Sequence, residues 1–305
     1  MHAADRAGRS YARSFASQRR TARPSRLPLL LAALAGLLLL RRATRPARGP
    51  PFCAVPPPLV CAHGGDISGG ALANTLPAYA AALANPAVSC VEVDVSRSRD
   101  DHLVALHQRQ LLQLGDGEYE NVADARLEQL RFLARGEEGR RVLTLREALG
   151  ALQGSGLRHI ILDIKDAPPR YGQGFAAKLL ELVTSEDCDA CLPWSRDDAV
   201  TAELVAAGYG SRAGFVVMNA TADARARGMH KVARVPGAAV AAVHWEMADA
   251  RLVGAARSRG VRVFGWTANE VRMMDSLVRA GAYAIITDKA SVVAERIAAL
   301  RQACG

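Results

Sequence analysis

Residues 90–107 read CVEVDVSRSRDDHLVALH. Val91, Val93 and Val95 alternate with Glu92 and Asp94, so the two carboxylates fall on one face of a strand. A second short apolar run, Leu103 onward, ends in His107. Further along, HIILDIK (159–165) places Asp163 and Lys165 two residues apart after a run of aliphatics, again on one face. An early run, LVCAHGG (59–65), ends in His63 and two glycines. If these ends share one mouth, it holds three carboxylates, two imidazoles and one ammonium. Clustered carboxylates raise one another's pKa unless something positive lies between them. A hard divalent cation held by oxygen ligands resolves the repulsion. Zinc would prefer nitrogen or sulfur, so Mg²⁺ or Ca²⁺ is expected, with Glu92, Asp94 and Asp163 as ligands.

Each signal has a plainer reading by itself. A Glu-x-Asp pair is often solvent-facing, and Lys165 can simply pair with Asp163. His102, His159, His230 and His244 are read as structural. The order of the signals, each ending a strand candidate, favours the site.

The elements that must position these groups alternate between Val- and Ile-rich strands and Ala-, Leu- and Arg-rich helices. Strands are expected at 59–65, 88–95, 103–107, 159–165, 214–219, 238–245, 261–268 and 282–288, with a weaker one at 190–195. Helices are expected at 76–83, 145–152, 174–185, 199–207, 250–258, 270–279 and 291–301. The gap between Val95 and Leu103 is too short for a crossover helix and predicts an antiparallel hairpin. This β-then-α rhythm from residue 59 to residue 305 predicts an α/β fold, a TIM (β/α)₈ barrel with a small hairpin insertion after the second strand. A doubly wound sheet is the alternative, but no G-x-G-x-x-G turn follows the first strand.

The net charge of +9 is misleading. Residues 1–50 carry eleven arginines and one acid, which leaves 28 basic and 29 acidic residues in the remainder. The folded part is nearly neutral, and a nucleic-acid partner is not expected. Within the Arg-rich leader, Leu27–Leu40 is uncharged; as a helix it reaches about 21 Å, short of a hydrocarbon core of roughly 30 Å. A signal-anchor, a cleaved signal and an organelle transit peptide compete for this segment. Seven arginines before it and four after place the N-terminus on the cytosolic side and the barrel in a lumen or outside the cell. The expected organisation is leader 1–50, Pro-rich linker 51–58 and catalytic domain 59–305, membrane-anchored by a single pass. Cys188 and Cys191 form C-x-x-C, open to redox, metal or disulfide readings; Cys53, Cys61, Cys90 and Cys304 are read as buried thiols.

The ordered motifs His63-x-Gly, Asn74-Thr75, Glu92-Val93-Asp94-Val95, His107, Asp163-Ile164-Lys165, Trp266-Thr267 and Ile286-Thr287-Asp288 resemble the glycerophosphodiester phosphodiesterases. The details HGGD, DVSRS and the C-x-x-C segment look most like a membrane-anchored plant and algal branch. The resemblance implies a metal-dependent hydrolase that cleaves glycerophosphodiesters to glycerol 3-phosphate and an alcohol. It assigns Glu92, Asp94 and Asp163 to the metal, His63 and His107 to acid–base catalysis, and Lys165 to the phosphate. The attacker it implies is the substrate's own neighbouring hydroxyl, giving a cyclic phosphate that water opens. Trp266 is read as stacking on the substrate or packing in the core. Asn74 is read as a helix cap, and Asp288 as a loop anchor.

The sequence departs from the family pattern at several points. Gly64 stands where an arginine usually follows the first histidine, Ala73 replaces a glutamate, Gln108 replaces an aspartate, and Asp163 replaces the commoner glutamate. Arg109, two residues past His107, is the candidate substitute for the missing guanidinium, with a solvated loop residue as its alternative. Two other functions remain open at this level: lysophospholipase D-type cleavage of lipids, and a membrane-tethered barrel that binds a phosphorylated ligand without turnover.

Overall fold

In the computed structural model the described residues are 51–115, 117–135, 139–165 and 173–304. The leader 1–50, including its apolar segment, lies outside them. No helix among the described residues is long and apolar enough to cross a membrane.

Eight parallel strands close into a barrel: β1 (Leu59–His63), β2 (Cys90–Arg97), β5 (His159–Ile164), β6 (Cys191–Ser195), β7 (Gly214–Val217), β8 (Val240–His244), β9 (Arg262–Trp266) and β10 (Ala284–Thr287). Pairing of β1 with both β10 and β2 leaves no free edge in the ring. The lumen is filled by Cys61, Cys90, Ile161, Leu192, Trp194, Val216, Ala242, Phe264 and Ile286, so it is a packed core. Outward residues of the same strands pack on the helices, which explains strands that are apolar on both faces. The weakest strand expectation, 190–195, is a full member of the barrel.

The hairpin forms as expected: β3 (Leu103–Ala105) runs antiparallel to β2, with Val95 opposite Ala105. The insertion is larger than the small hairpin expected, occupying residues 98–144. It adds helices α2 (Gln108–Leu114) and α3 (Leu127–Leu133), and a two-residue strand, β4 (Leu143–Thr144), paired to β3. These additions carry their own apolar cluster around Val104, Leu111, Val122 and Leu130. The strand expected to end in His107 stops at Ala105, and His107 instead caps α2.

The four cysteines read as buried thiols are bridged, Cys53–Cys304 and Cys61–Cys90, and the C-x-x-C pair takes its disulfide reading, Cys188–Cys191. The second joins in-register positions of β1 and β2 inside the lumen. The Pro-rich stretch is not the free spacer its composition suggests: Phe52 is buried, and Arg301 Nη1 donates to the carbonyls of Phe52 and Val55 at 2.9 and 2.8 Å. Cys53–Cys304 pins the same stretch to the last helix across 251 residues of sequence. A closure of that length restricts the unfolded chain strongly, so Cys53→Ser with Cys304→Ser should cost about 2–4 kcal/mol and lower the melting temperature, read by calorimetry. An unchanged melting temperature would show that the bridge adds nothing to the folded barrel.

Candidate active site

The C-terminal ends of the barrel strands bring the expected residues to one mouth. One pocket is lined by His63, Glu92, His107, Arg109, Asp163, Lys165, Arg196 and Trp266. Asp94 lies directly beneath, fully buried.

Glu92, Asp94 and Asp163 each turn an oxygen toward one point, and these oxygens lie within 4.8 Å of one another. The arrangement follows from register: Asp94 on β2 sits opposite Asp163 on β5, and Glu92 opposite His63 on β1. Lys165 Nζ pairs with Asp163 and lies 2.8 Å from Asp94 Oδ1. That Oδ1 is buried, and the Lys165 ammonium is its partner. Three converging carboxylate oxygens, two of them from buried residues, fit a hard divalent cation.

Charge distributes unevenly over the cluster. Burial, and then the Asp94 charge, push Glu92 up to about 8. Burial also opposes ionisation of Asp94, but Lys165 and the two histidines outweigh it and hold its pKa below the usual range. Burial likewise opposes the Lys165 ammonium, and Asp163, Asp94 and Glu92 overcome it and raise its pKa.

The histidines are held differently. His63 Nδ1 lies 2.7 Å from Asp288 Oδ1, and its Nε2 lies 3.0 Å from Arg109 Nη2. Burial works against a proton on His63, but Glu92 and Asp288 raise its pKa overall. His107 begins α2: its Nδ1 accepts the backbone N–H of Arg109 at 3.0 Å, and Gln110 Oε1 accepts the His107 N–H at 2.8 Å. Asp94 alone favours the proton there; burial, with Lys165 and Arg109, brings His107 down to about 4.

Sequence reasoning misplaced two residues and missed two. Asn74 does not cap the first helix, α1 (Leu76–Ala84), whose cap position is Thr75. Its buried amide donates to Asp94 Oδ2 at 2.7 Å and accepts the Asp94 N–H at 3.0 Å. Asp288 is more than a loop anchor, since it contacts His63. Gln110 was missed; it accepts from Asn74 Nδ2 at 2.8 Å and so links Asp94 to the start of α2. Arg196, just past β6, was missed because nothing around it in the sequence marks a site.

Arg109 reaches into the mouth rather than into solvent alone, with Nη2 3.8 Å from Asp94 Oδ2. Trp266 lines the pocket edge-on to His244, their rings 5.2 Å apart, and its buried indole N–H lacks a partner among the described residues. His159 matches its structural reading, bonded to Tyr283 Oη at 3.0 Å.

A carboxyl raised to about 8 keeps its proton at neutral pH in the cation-free protein. Its contribution to stability is therefore full at low pH and is lost as pH rises from its ordinary value through 8. A bound cation displaces that proton, so affinity for Mg²⁺ or Ca²⁺ should rise between about pH 6 and about pH 8 with proton release. Titration calorimetry in buffers of different ionisation enthalpy measures both; affinity independent of pH would show that Glu92 gives up no proton when the cation binds.

The profile of the Glycerophosphoryl diester phosphodiesterase family matches residues 63–171 and 206–292. A glycerophosphodiester phosphodiesterase of Arabidopsis thaliana, GDPD4, is 34% identical over 254 residues, covering 81% of this chain and 76% of that one. Among solved structures, a putative glycerophosphoryl diester phosphodiesterase from Agrobacterium tumefaciens superposes with a TM-score of 0.67 at 18% identity, covering 81% of this chain and all of that one. An Oleispira antarctica phosphodiesterase in complex with the product sn-glycerol-3-phosphate gives 0.63 at 21% identity, covering 79% and 97%. Those two likenesses establish the shared barrel. With the profile and the Arabidopsis relative, the chain belongs to the glycerophosphoryl diester phosphodiesterase family, and it is a phosphoric diester hydrolase rather than a non-catalytic barrel.

Proposed function

We propose that this enzyme hydrolyses glycerophosphodiesters to glycerol 3-phosphate and an alcohol, with His63 and His107 as the acid–base pair. The observation that carries the reading is the convergence of two imidazoles, three carboxylates and three cationic side chains on one pocket. Glu92, Asp94 and Asp163 would hold Mg²⁺ or Ca²⁺, which when bound supplies Lewis-acid charge beside the phosphoryl oxygens. Lys165 and Arg109 bind the phosphate oxygens and offset the negative charge that repels a nucleophile. Trp266 packs its ring against the glycerol or head group and offers its N–H to an oxygen. One imidazole takes the proton of the substrate's neighbouring hydroxyl while that oxygen bonds to phosphorus. The bond to the departing alcohol breaks, its electron pair stays on the alcohol oxygen, and the other imidazole protonates it. Water then opens the cyclic phosphate with the two roles exchanged.

The guanidinium of Arg109 supports the absence of arginine at position 64. Gly64 has φ +68°, and a Cβ there would lie 2.6 Å from the Ala73 Cβ. Gly64→Arg would thus strain the strand end instead of adding a second clamp.

The proposal extends to location. Three disulfides that use every cysteine suit an oxidising compartment, which supports a barrel on the lumenal or extracellular side. Together with the plant relative, this favours the membrane-anchored branch, with residues 27–40 as the anchor; an organelle transit peptide is the competing account. Protease protection of the full chain in sealed membranes distinguishes them.

Purified full chain, freed of metal, should release glycerol 3-phosphate from glycerophosphocholine only when Mg²⁺ or Ca²⁺ is restored. Glu92→Ala should abolish release and calorimetric cation binding together. His63→Ala or His107→Ala should lower kcat by about 10²–10⁴-fold while the cation still binds. Full activity in either histidine variant would remove the acid–base assignment. Preference for lysophospholipids over glycerophosphocholine would move the substrate class to lipid. Arg109→Ala should raise KM more than it lowers kcat; an unaffected KM would return Arg109 to the solvated loop.

A further inference from the structure

The two imidazoles are oriented by opposite kinds of partner. At His107 the partner is a donor, the backbone N–H of Arg109, so Nδ1 serves as acceptor and Nε2–H is what faces away from the helix start. At His63 the partner is a carboxylate, Asp288 Oδ1 at 2.7 Å, so Nδ1 carries a hydrogen and Nε2 is the atom turned toward the pocket. The contact of Nε2 with Arg109 Nη2, at 3.0 Å, agrees: a guanidinium only donates, so Nε2 is the acceptor there.

Asp288 is itself fixed from a third element. Asn269, in the loop after β9, donates from Nδ2 to Asp288 Oδ2 at 2.5 Å and accepts the Asp288 N–H on Oδ1 at 2.9 Å. Thr287 Oγ1 donates to the Ala268 carbonyl at 2.8 Å and lies 3.1 Å from Asn269 Oδ1, tying the same loop to the end of β10. Three adjacent barrel strands, β9, β10 and β1, therefore end in one chain of contacts, Asn269 to Asp288 to His63. An aspartate needed only to anchor its loop would be satisfied by Asn269; its remaining oxygen is directed at the imidazole.

We propose that Asp288 is a positioning residue for phosphodiester cleavage: it holds the Nδ1 hydrogen of His63, fixes the ring plane, and leaves Nε2 as the one atom that exchanges a proton with substrate, with Asn269 setting Asp288. This rests on the acid–base role of His63. The proton His63 gains or gives in either half-reaction moves on Nε2 alone, Nδ1–H staying with Asp288, so no atom of Asp288 enters the balance. The carboxylate favours the imidazolium whenever it forms and denies the ring the flipped tautomer.

The test compares the full chain with its Asp288→Asn, Asn269→Ala, His63→Ala and His63→Ala/Asp288→Asn variants on glycerophosphocholine with saturating cation. Asn keeps the size of the side chain but removes the charge and permits the wrong tautomer. Asp288→Asn should lower kcat by about 10²-fold or more, leave KM within about threefold, and leave calorimetric cation binding unchanged. Asn269→Ala should shift kcat the same way by a smaller factor. In the His63→Ala background, Asp288→Asn should cost almost nothing, because its effect passes through the imidazole. Unchanged kcat in Asp288→Asn with an inactive His63→Ala would overturn the positioning role and leave the acid–base reading standing. Full activity in His63→Ala would overturn both. Equal losses from Asp288→Asn with and without His63, accompanied by a lower melting temperature, would assign Asp288 to the fold alone.

Discussion

Three carboxylates brought to the mouth of a closed barrel repel one another, and the low polarity around them multiplies the effect. Asp94 is fully buried and Glu92 nearly so, so neither can shed its charge into water. Much of the local architecture answers that constraint. Lys165, two residues past Asp163 on the same strand face, puts its ammonium between Asp163 and Asp94. The second Asp94 oxygen takes an amide hydrogen from Asn74, and the backbone N–H of Gly64 donates to Glu92 at 3.0 Å. Glu92 receives less compensation than Asp94, which is why its pKa rises while that of Asp94 falls. A site that leaves a buried carboxylate reluctant to ionise has a place for one more positive charge.

The insertion after β2 joins the network around Asp94. Gln110 spans from the Asn74 amide to the N–H of His107, with its own amide donating to the Ala73 carbonyl at 2.5 Å. The first turn of α2 thereby positions His107, aims Arg109 and supports the partner of Asp94 through one side chain. A movement of this helix would disturb an imidazole and a carboxylate together. The lumenal disulfide works from below: Cys61 and Cys90 precede His63 and Glu92 by two residues on paired strands, so the covalent link lies directly under both.

The barrel was legible in the sequence because each strand is a compact aliphatic run and each helix a periodic one. Six of the eight proposed site residues reach the mouth because strand parity and strand ends are local properties; His107 and Arg109 arrive at the start of α2. What escaped reading depends on distant neighbours. His107 looked like the end of a strand because LVALH is apolar; only the tertiary pairing of β3 shows that the ladder stops at Ala105 and the histidine becomes a cap. Asn74 before Leu76-Pro77 has the local pattern of a helix cap, but its φ of +60° turns the amide inward to Asp94. The cysteine pairs lie up to 251 residues apart, a relation no spacing rule supplies. Asp288 and His63 are 225 residues apart, and closure of the ring makes them neighbours.

Under the proposed assignment, Arg109 brings to the mouth the guanidinium that position 64 lacks. Ala73 occupies the space a side chain at 64 would need, and its carbonyl is the acceptor that Gln110 uses. A larger residue at 64 would press on the segment that supports Asp94. A guanidinium delivered from α2 avoids that conflict, since it enters from the solvent side, half exposed, and still comes within 3.8 Å of Asp94 and 3.0 Å of His63. Its position also differs in consequence. An arginine beside His63 on the strand would be held by the barrel itself, whereas Arg109 rides on an insertion helix whose own order depends on Gln110 and the His107 cap. Under the proposed mechanism, phosphate binding and the placement of His107 are then mechanically linked, and substitutions in the first turn of α2 should not separate cleanly into effects on affinity and effects on turnover.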